Sequence, residues 1–176
     1  MKKTGLAVFA GALLLSGCIP AYNVEVYMSP KVKEKYQVRP SLELDIAGVN
    51  TADKEHFQAI AVDDYFTPEN ALRESSKHAT LHFSEEDAVA KRITKNDPVW
   101  EKFSENAADT LYLLVNLPVS GAKSLKTDPR KVAIPLKWCL FSKTRYFEIT
   151  PSGLVQLTEV PEYAPEEIET ESTEEK

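Results

Sequence analysis

The run DTLYLLVNLP, residues 109–118, is apolar at almost every position and stops at Pro118. A strand with one face in water alternates apolar and polar side chains, so a run without alternation predicts a central strand buried on both faces. Around it lie segments that do alternate. SLELDIAGVN sets Leu42, Leu44 and Ile46 against Glu43 and Asp45, a half-buried strand ending at Gly48, and HATLHF sets Ala79, Leu81 and Phe83 inward against His78, Thr80 and His82. KVAIPLKW, TRYFEIT and LVQLTEV follow, the last two joined by Pro151-Ser152-Gly153 as a hairpin.

Three short helices are expected between these strands. Asn50 caps the first, from Thr51 to about Ala61, with Phe57, Ile60 and Ala61 on one face. Ser84 and Asp87 mark a second that runs to about Ile93. Asp97 and Pro98 open the third, which presents Val99, Trp100 and Phe103 and closes at Asn106. A regular β-α-β-α alternation is missing, and the C-terminal hairpin forces antiparallel pairing. The expected architecture is mainly β with inserted helices (α+β), an antiparallel β-sandwich with the helices at one end or face.

The N-terminus has a different character. Lys2 and Lys3 precede an apolar stretch from Gly5 to Leu15, the length of a signal peptide and too short to span a bilayer. Leu15-Ser16-Gly17-Cys18 resembles the bacterial lipobox, which implies cleavage after residue 17 and a lipidated Cys18 as mature N-terminus. Two or three acyl chains, at about 0.8 kcal/mol per buried methylene, hold a protein stably on a membrane it does not cross. Ile19 rather than Asp after the cysteine points to the periplasmic face of the outer membrane; the inner membrane is the alternative. With Cys18 acylated, Cys139 has no intramolecular partner and reads as a buried, inert thiol.

Four regions result: a signal peptide at 1–17, a lipidated N-terminus and tether at 18–40, one globular domain at 41–158 and an acidic tail at 159–176. Pro20, Pro30 and Pro40 interrupt the tether, although the alternation in YNVEVYM also fits an edge strand. The tail holds eight glutamates and one lysine, a net charge of −7, so the chain total of −6 leaves +1 for everything before it. Few apolar groups and self-repulsion predict disorder there. The near-neutral body argues against nucleic-acid binding.

Chemical motifs are sparse. His78 and His82 are four apart but lack the glutamate of a zincin helix, and on a strand they share a solvent face, so no metal site is expected. Asp63, Asp64 and Glu69 in DDYFTPEN fit no calcium loop. No nucleophile motif, phosphate loop or Cys-x-x-Cys is present, and no cofactor is implied beyond the covalent lipid on Cys18. The chain reads as a non-enzyme.

The lipobox, a first strand ending in AGVN, a helical insertion, the TLYLLVNLP strand and the late strands KVAIPLKW and TRYFEIT together resemble the outer-membrane lipoproteins of type VI secretion systems. The resemblance implies a transthyretin-like sandwich with an added helical element, and loops that bind the periplasmic domain of an inner-membrane protein. The long insertion from Asn50 to Phe103 and the acidic tail depart from that family, so no contact residue is carried over. Residues 119–130, VSGAKSLKTDPR, are the expected partner loop because they leave a buried strand with little apolar content. Two other classes compete: a periplasmic binding module with Tyr65, Phe66, Trp100, Phe103 and Trp138 around a pocket, and a hydrolase using Asp63, Asp64 and His78.

Overall fold

The computed structural model describes residues 21–118, 128–136 and 144–170. β1 (Asn23–Met28) leads through α1 (Pro30–Tyr36) to β2 (Leu42–Val49), and three short helices follow: α2 (Lys54–Ala59), α3 (Val62–Tyr65) and α4 (Ala71–Ser75). Then come β3 (His78–Phe83), β4 (Ala90–Ile93), α5 (Val99–Glu105) and β5 (Thr110–Val115), and finally β6 (Lys131–Pro135), β7 (Thr144–Thr150), β8 (Gly153–Leu157) and β9 (Glu169–Thr170).

The strands form two sheets, ordered β8-β7-β1-β4-β9 and β3-β2-β5-β6. Alternation along each strand puts Val24, Val26, Met28, Phe147 and Ile149 of the first sheet against Leu44, Ile46, Leu81, Leu111, Leu113 and Val115 of the second. Each such side chain contributes about 1.5–3 kcal/mol on burial, so this sandwich core dominates stability. The second sheet is covered on its other face too: Ala47, Val49, Tyr112 and Leu114 pack with Phe57 of α2 and Tyr65 of α3. All six residues of β5 are therefore buried, as the unalternating run requires.

α5 lies against β2 at Gly48. A Cβ built there would stand 2.4 Å from the Phe103 ring, so only glycine lets the helix seat its aromatic face. Asn50 Oδ1 accepts from Asp53 N at 2.9 Å at the start of the α2 region, and Asp97 Oδ1 accepts from Val99 N at 2.9 Å at the start of α5.

The β-sandwich with short helices agrees with the sequence, with one addition: β1 pairs parallel with β7, and β4 with β9, so the first sheet is mixed. Three local expectations are corrected. Much of the segment read as tether or edge strand is a central strand and a helix, because β1 is flanked by β4 and β7 and buries Val24, Val26, Tyr27 and Met28. The helix expected from Ser84 to Ile93 is absent; β4 forms there instead, and its ladder to β1 satisfies backbone groups that a helix would leave unpaired at that edge. The acidic tail read as disordered carries β9, and Tyr163 Oη donates to Glu148 Oε1 at 2.6 Å. The signal peptide, Cys18, residues 119–127, Trp138 and Cys139 lie outside the described residues. Among the described residues no helix is long and apolar enough to cross a membrane.

Candidate functional site

β5 and β6 are adjacent and antiparallel, and the chain between them leaves one end of the sandwich at Pro118 and returns at Asp128. Both ends of that connection are fixed. On the outgoing side Tyr36 Oη of α1 donates to Pro118 O at 2.6 Å, and Asn116 N donates to Glu43 O at 2.8 Å. On the returning side Leu154 N donates to Pro129 O at 2.8 Å. Gly153, at φ 141°, permits that approach: a Cβ would lie 2.3 Å from the same carbonyl.

Arg130 joins the two sides. Its side chain is 2% exposed and donates from Nε and Nη2 to Asp128 at 3.1 and 2.8 Å, and from Nη1 to Leu117 O at 3.2 Å. The same guanidinium reaches Asp63 of α3 at 2.5 and 3.1 Å. Two carboxylates around one buried fork hold the cation firmly: hydrogen bonds first to Asp128 and then to Asp63 raise its pKa, and Arg130 in turn draws the Asp63 carboxyl below its ordinary value. Beside it, Lys131 Nζ donates to the carbonyls of Phe57, Gln58 and Ile60 at 2.8–3.0 Å and so ties the end of α2 to β6. Burial lowers the pKa of this amine.

A second polar cluster crosses the outer face of the β2–β3 pair. Asp45, fully buried, accepts from Arg73 Nε at 2.8 Å and Thr80 Oγ1 at 2.7 Å, while Arg73 Nη2 reaches Glu43 at 2.6 Å. His78 Nε2 stands 3.8 Å from Asp45 and His82 Nδ1 3.9 Å from Glu43. Both histidines thus flank a carboxylate network already held by arginine.

The residues named for hydrolysis do not converge. Asp63 belongs to the Arg130 clamp, exposed Asp64 offers its carbonyl to Thr67 Oγ1 and Asn70 Nδ2, and His78 belongs to the Asp45 cluster. Among the described residues no group of three or more His, Cys, Asp or Glu is placed to hold a metal ion. The aromatics proposed for a pocket are divided between two packed clusters. Tyr65 meets Phe57 and Phe66, whereas Trp100 meets Tyr22 and Phe103. Sequence reasoning missed Arg130, Asp128, Lys131, Arg73 and the burial of Asp45; TDPR reads only as a turn, and its role needs the distant Asp63.

No known protein-family profile matches the sequence, and no curated protein matches it. Solved structures do. A chain from the structure of the type VI secretion protein TssM C-terminal domain from EAEC aligns over 77% of this chain and 99% of its own, at 10% identity and TM-score 0.54. Serratia marcescens Lip, a membrane-bound component of the type VI secretion system, aligns over 81% of this chain and all of its own, at 11% identity and TM-score 0.52. A chain of a type VI membrane complex aligns over 79% and 98%, at 13% identity and TM-score 0.54. At these identities the likeness is one of fold, and the chain shares its two-sheet sandwich with these proteins along nearly their whole length.

Proposed function

We propose that the chain is a lipid-anchored assembly component of a type VI-like secretion envelope complex, held by Cys18 at the periplasmic face of the outer membrane. On this reading it engages the periplasmic part of an inner-membrane protein through the end of the sandwich from which residues 119–127 emerge. The observation that carries the reading is the rigid base at that end. Arg130, Asp128, Asp63, Tyr36 and Gly153 fix both ends of a polar connection, which is how a packed scaffold presents a recognition loop. The fold shared with type VI envelope proteins supports it, as does the lipobox-like Leu15-Ser16-Gly17-Cys18. Such a role requires no cofactor and no catalytic group.

Two experiments test it. Metabolic labelling with a fatty acid should mark the wild-type chain and not Cys18→Ser; label retained on Cys18→Ser removes the anchor. Replacing residues 119–127 with a short Gly-Ser link should abolish co-purification of the inner-membrane partner while circular dichroism stays unchanged. Undiminished co-purification removes the loop from the interface.

A further inference from the structure

At the outer edge of the mixed sheet, β4 meets the last described residues of the chain. Among the described residues, Lys91 pairs with Glu169 and Arg92 with Thr170, in parallel register. Both β9 residues are exposed, so this pairing rests on main-chain bonds and on the two side chains opposite. The first of these is well matched: Lys91 Nζ lies 3.6 Å from Glu169 Oε2, with Asp87 at 3.9 Å. The second is not. Thr170 Oγ1 accepts from Arg92 Nη2 at 3.2 Å, whereas Arg92 Nη1 is 3.8 Å from Glu25, and Arg92 Nε is buried with no acceptor among the described residues. A guanidinium fork is satisfied by a bidentate carboxylate, and a single hydroxyl cannot supply one.

We propose that the outer edge of β4 is a strand-addition site for an extended acidic segment of a partner protein, and that residues 162–170 of this chain occupy it in cis as an imperfect competitor. The fitting segment has carboxylates at two consecutive positions, one opposite Lys91 and one opposite Arg92. Tyr163 ties the cis segment to the same sheet through Glu148 of β7, two strands from β4. This gives a high local concentration to an occupant that meets Arg92 with a hydroxyl rather than a carboxylate.

The test uses the intact chain, a chain ending after Val160, and two fluorescein-labelled peptides: residues 159–176, and the same peptide with Thr170→Glu. Fluorescence anisotropy should show both peptides binding the shortened chain about tenfold or more tightly than the intact one, because the cis competitor is gone. The Thr170→Glu peptide should bind the shortened chain about tenfold more tightly than the unsubstituted peptide, and Arg92→Ala should erase that difference. Should the shortened chain fail to fold by circular dichroism, the intact chain carrying Tyr163→Ala and Glu169→Lys takes its place. Equal affinity for the intact and opened chains, or equal affinity of the two peptides, overturns the proposal.

Discussion

Arg130 Nη2 lies 3.1 Å from Asp63 Oδ2 across 67 residues of sequence, with the arginine side chain 2% exposed and the aspartate 72% exposed. The pair therefore straddles the surface, while Asp128 on the other flank of the guanidinium is as buried as the arginine. Removing Arg130 leaves the Asp128 carboxylate buried without its cation, so Arg130→Met should cost about 3–5 kcal/mol. Asp63→Ala, at the wet end, should cost under about 1 kcal/mol. Urea unfolding of both variants checks the asymmetry, and equal losses would contradict it.

The same clamp sets an acid response. The Asp63 pKa is lowered in the fold, chiefly by its hydrogen bond to Arg130. A depressed carboxyl contributes stability that is fully present above the unfolded carboxylate pKa and is lost as pH falls through the folded value. Stability measured by denaturant from neutral pH downward should therefore fall less steeply below the ordinary aspartate range in Asp63→Asn than in the wild type. Parallel acid limbs would show that the pair is too solvated to matter.

Gly48 and Phe103 should be coupled. Adding one methyl at Gly48 forces the buried Phe103 ring from 2.4 Å, and overpacking of this kind costs about 1–3 kcal/mol. Gly48→Ala should thus destabilise the wild type, and cost clearly less in a Phe103→Ala background, where the ring is gone and only the residue 103 Cβ, at 2.8 Å, still presses on the new methyl. A double-mutant cycle by thermal unfolding measures the interaction, and additive effects would mean that α5 shifts away.

The sandwich was legible because its cause is local in sequence. Period-2 patterns marked β2 and β3, and the unalternating 109–118 run marked a strand covered twice. What failed was anything decided by a distant partner. NVEVYM looks the same at an edge or a centre until β7, more than a hundred residues later, pairs beside it. AKRI follows a plausible cap, and only the open side of β1 makes it a strand. The glutamates of the tail argue for solvation, and the docking of Tyr163 and Glu169 depends on Glu148 and Lys91 from other strands. The candidate site was least legible of all: residues 128–130 read as the end of a polar loop, whereas Asp128 and Arg130 are buried in a clamp that reaches Asp63 of α3.

The scaffold reading separates from the catalytic one by which residues function can lose. His78 and His82 stand at 3.8 and 3.9 Å from carboxylates already bound by Arg73, and Asp64 contributes its main-chain carbonyl to the turn. Substituting His78, His82 and Asp64 together by Ala should therefore change stability by no more than about 1 kcal/mol. It should leave partner co-purification and secretion intact. Asp63 is kept in this variant because its loss would loosen Arg130 and confound the result. The Gly-Ser replacement of residues 119–127 should do the opposite, sparing the fold and removing the partner. Loss of secretion in the three-residue variant, with wild-type circular dichroism and normal lipidation, would mean that the cluster at Asp45 does chemistry or binds a ligand, and the scaffold reading would fall.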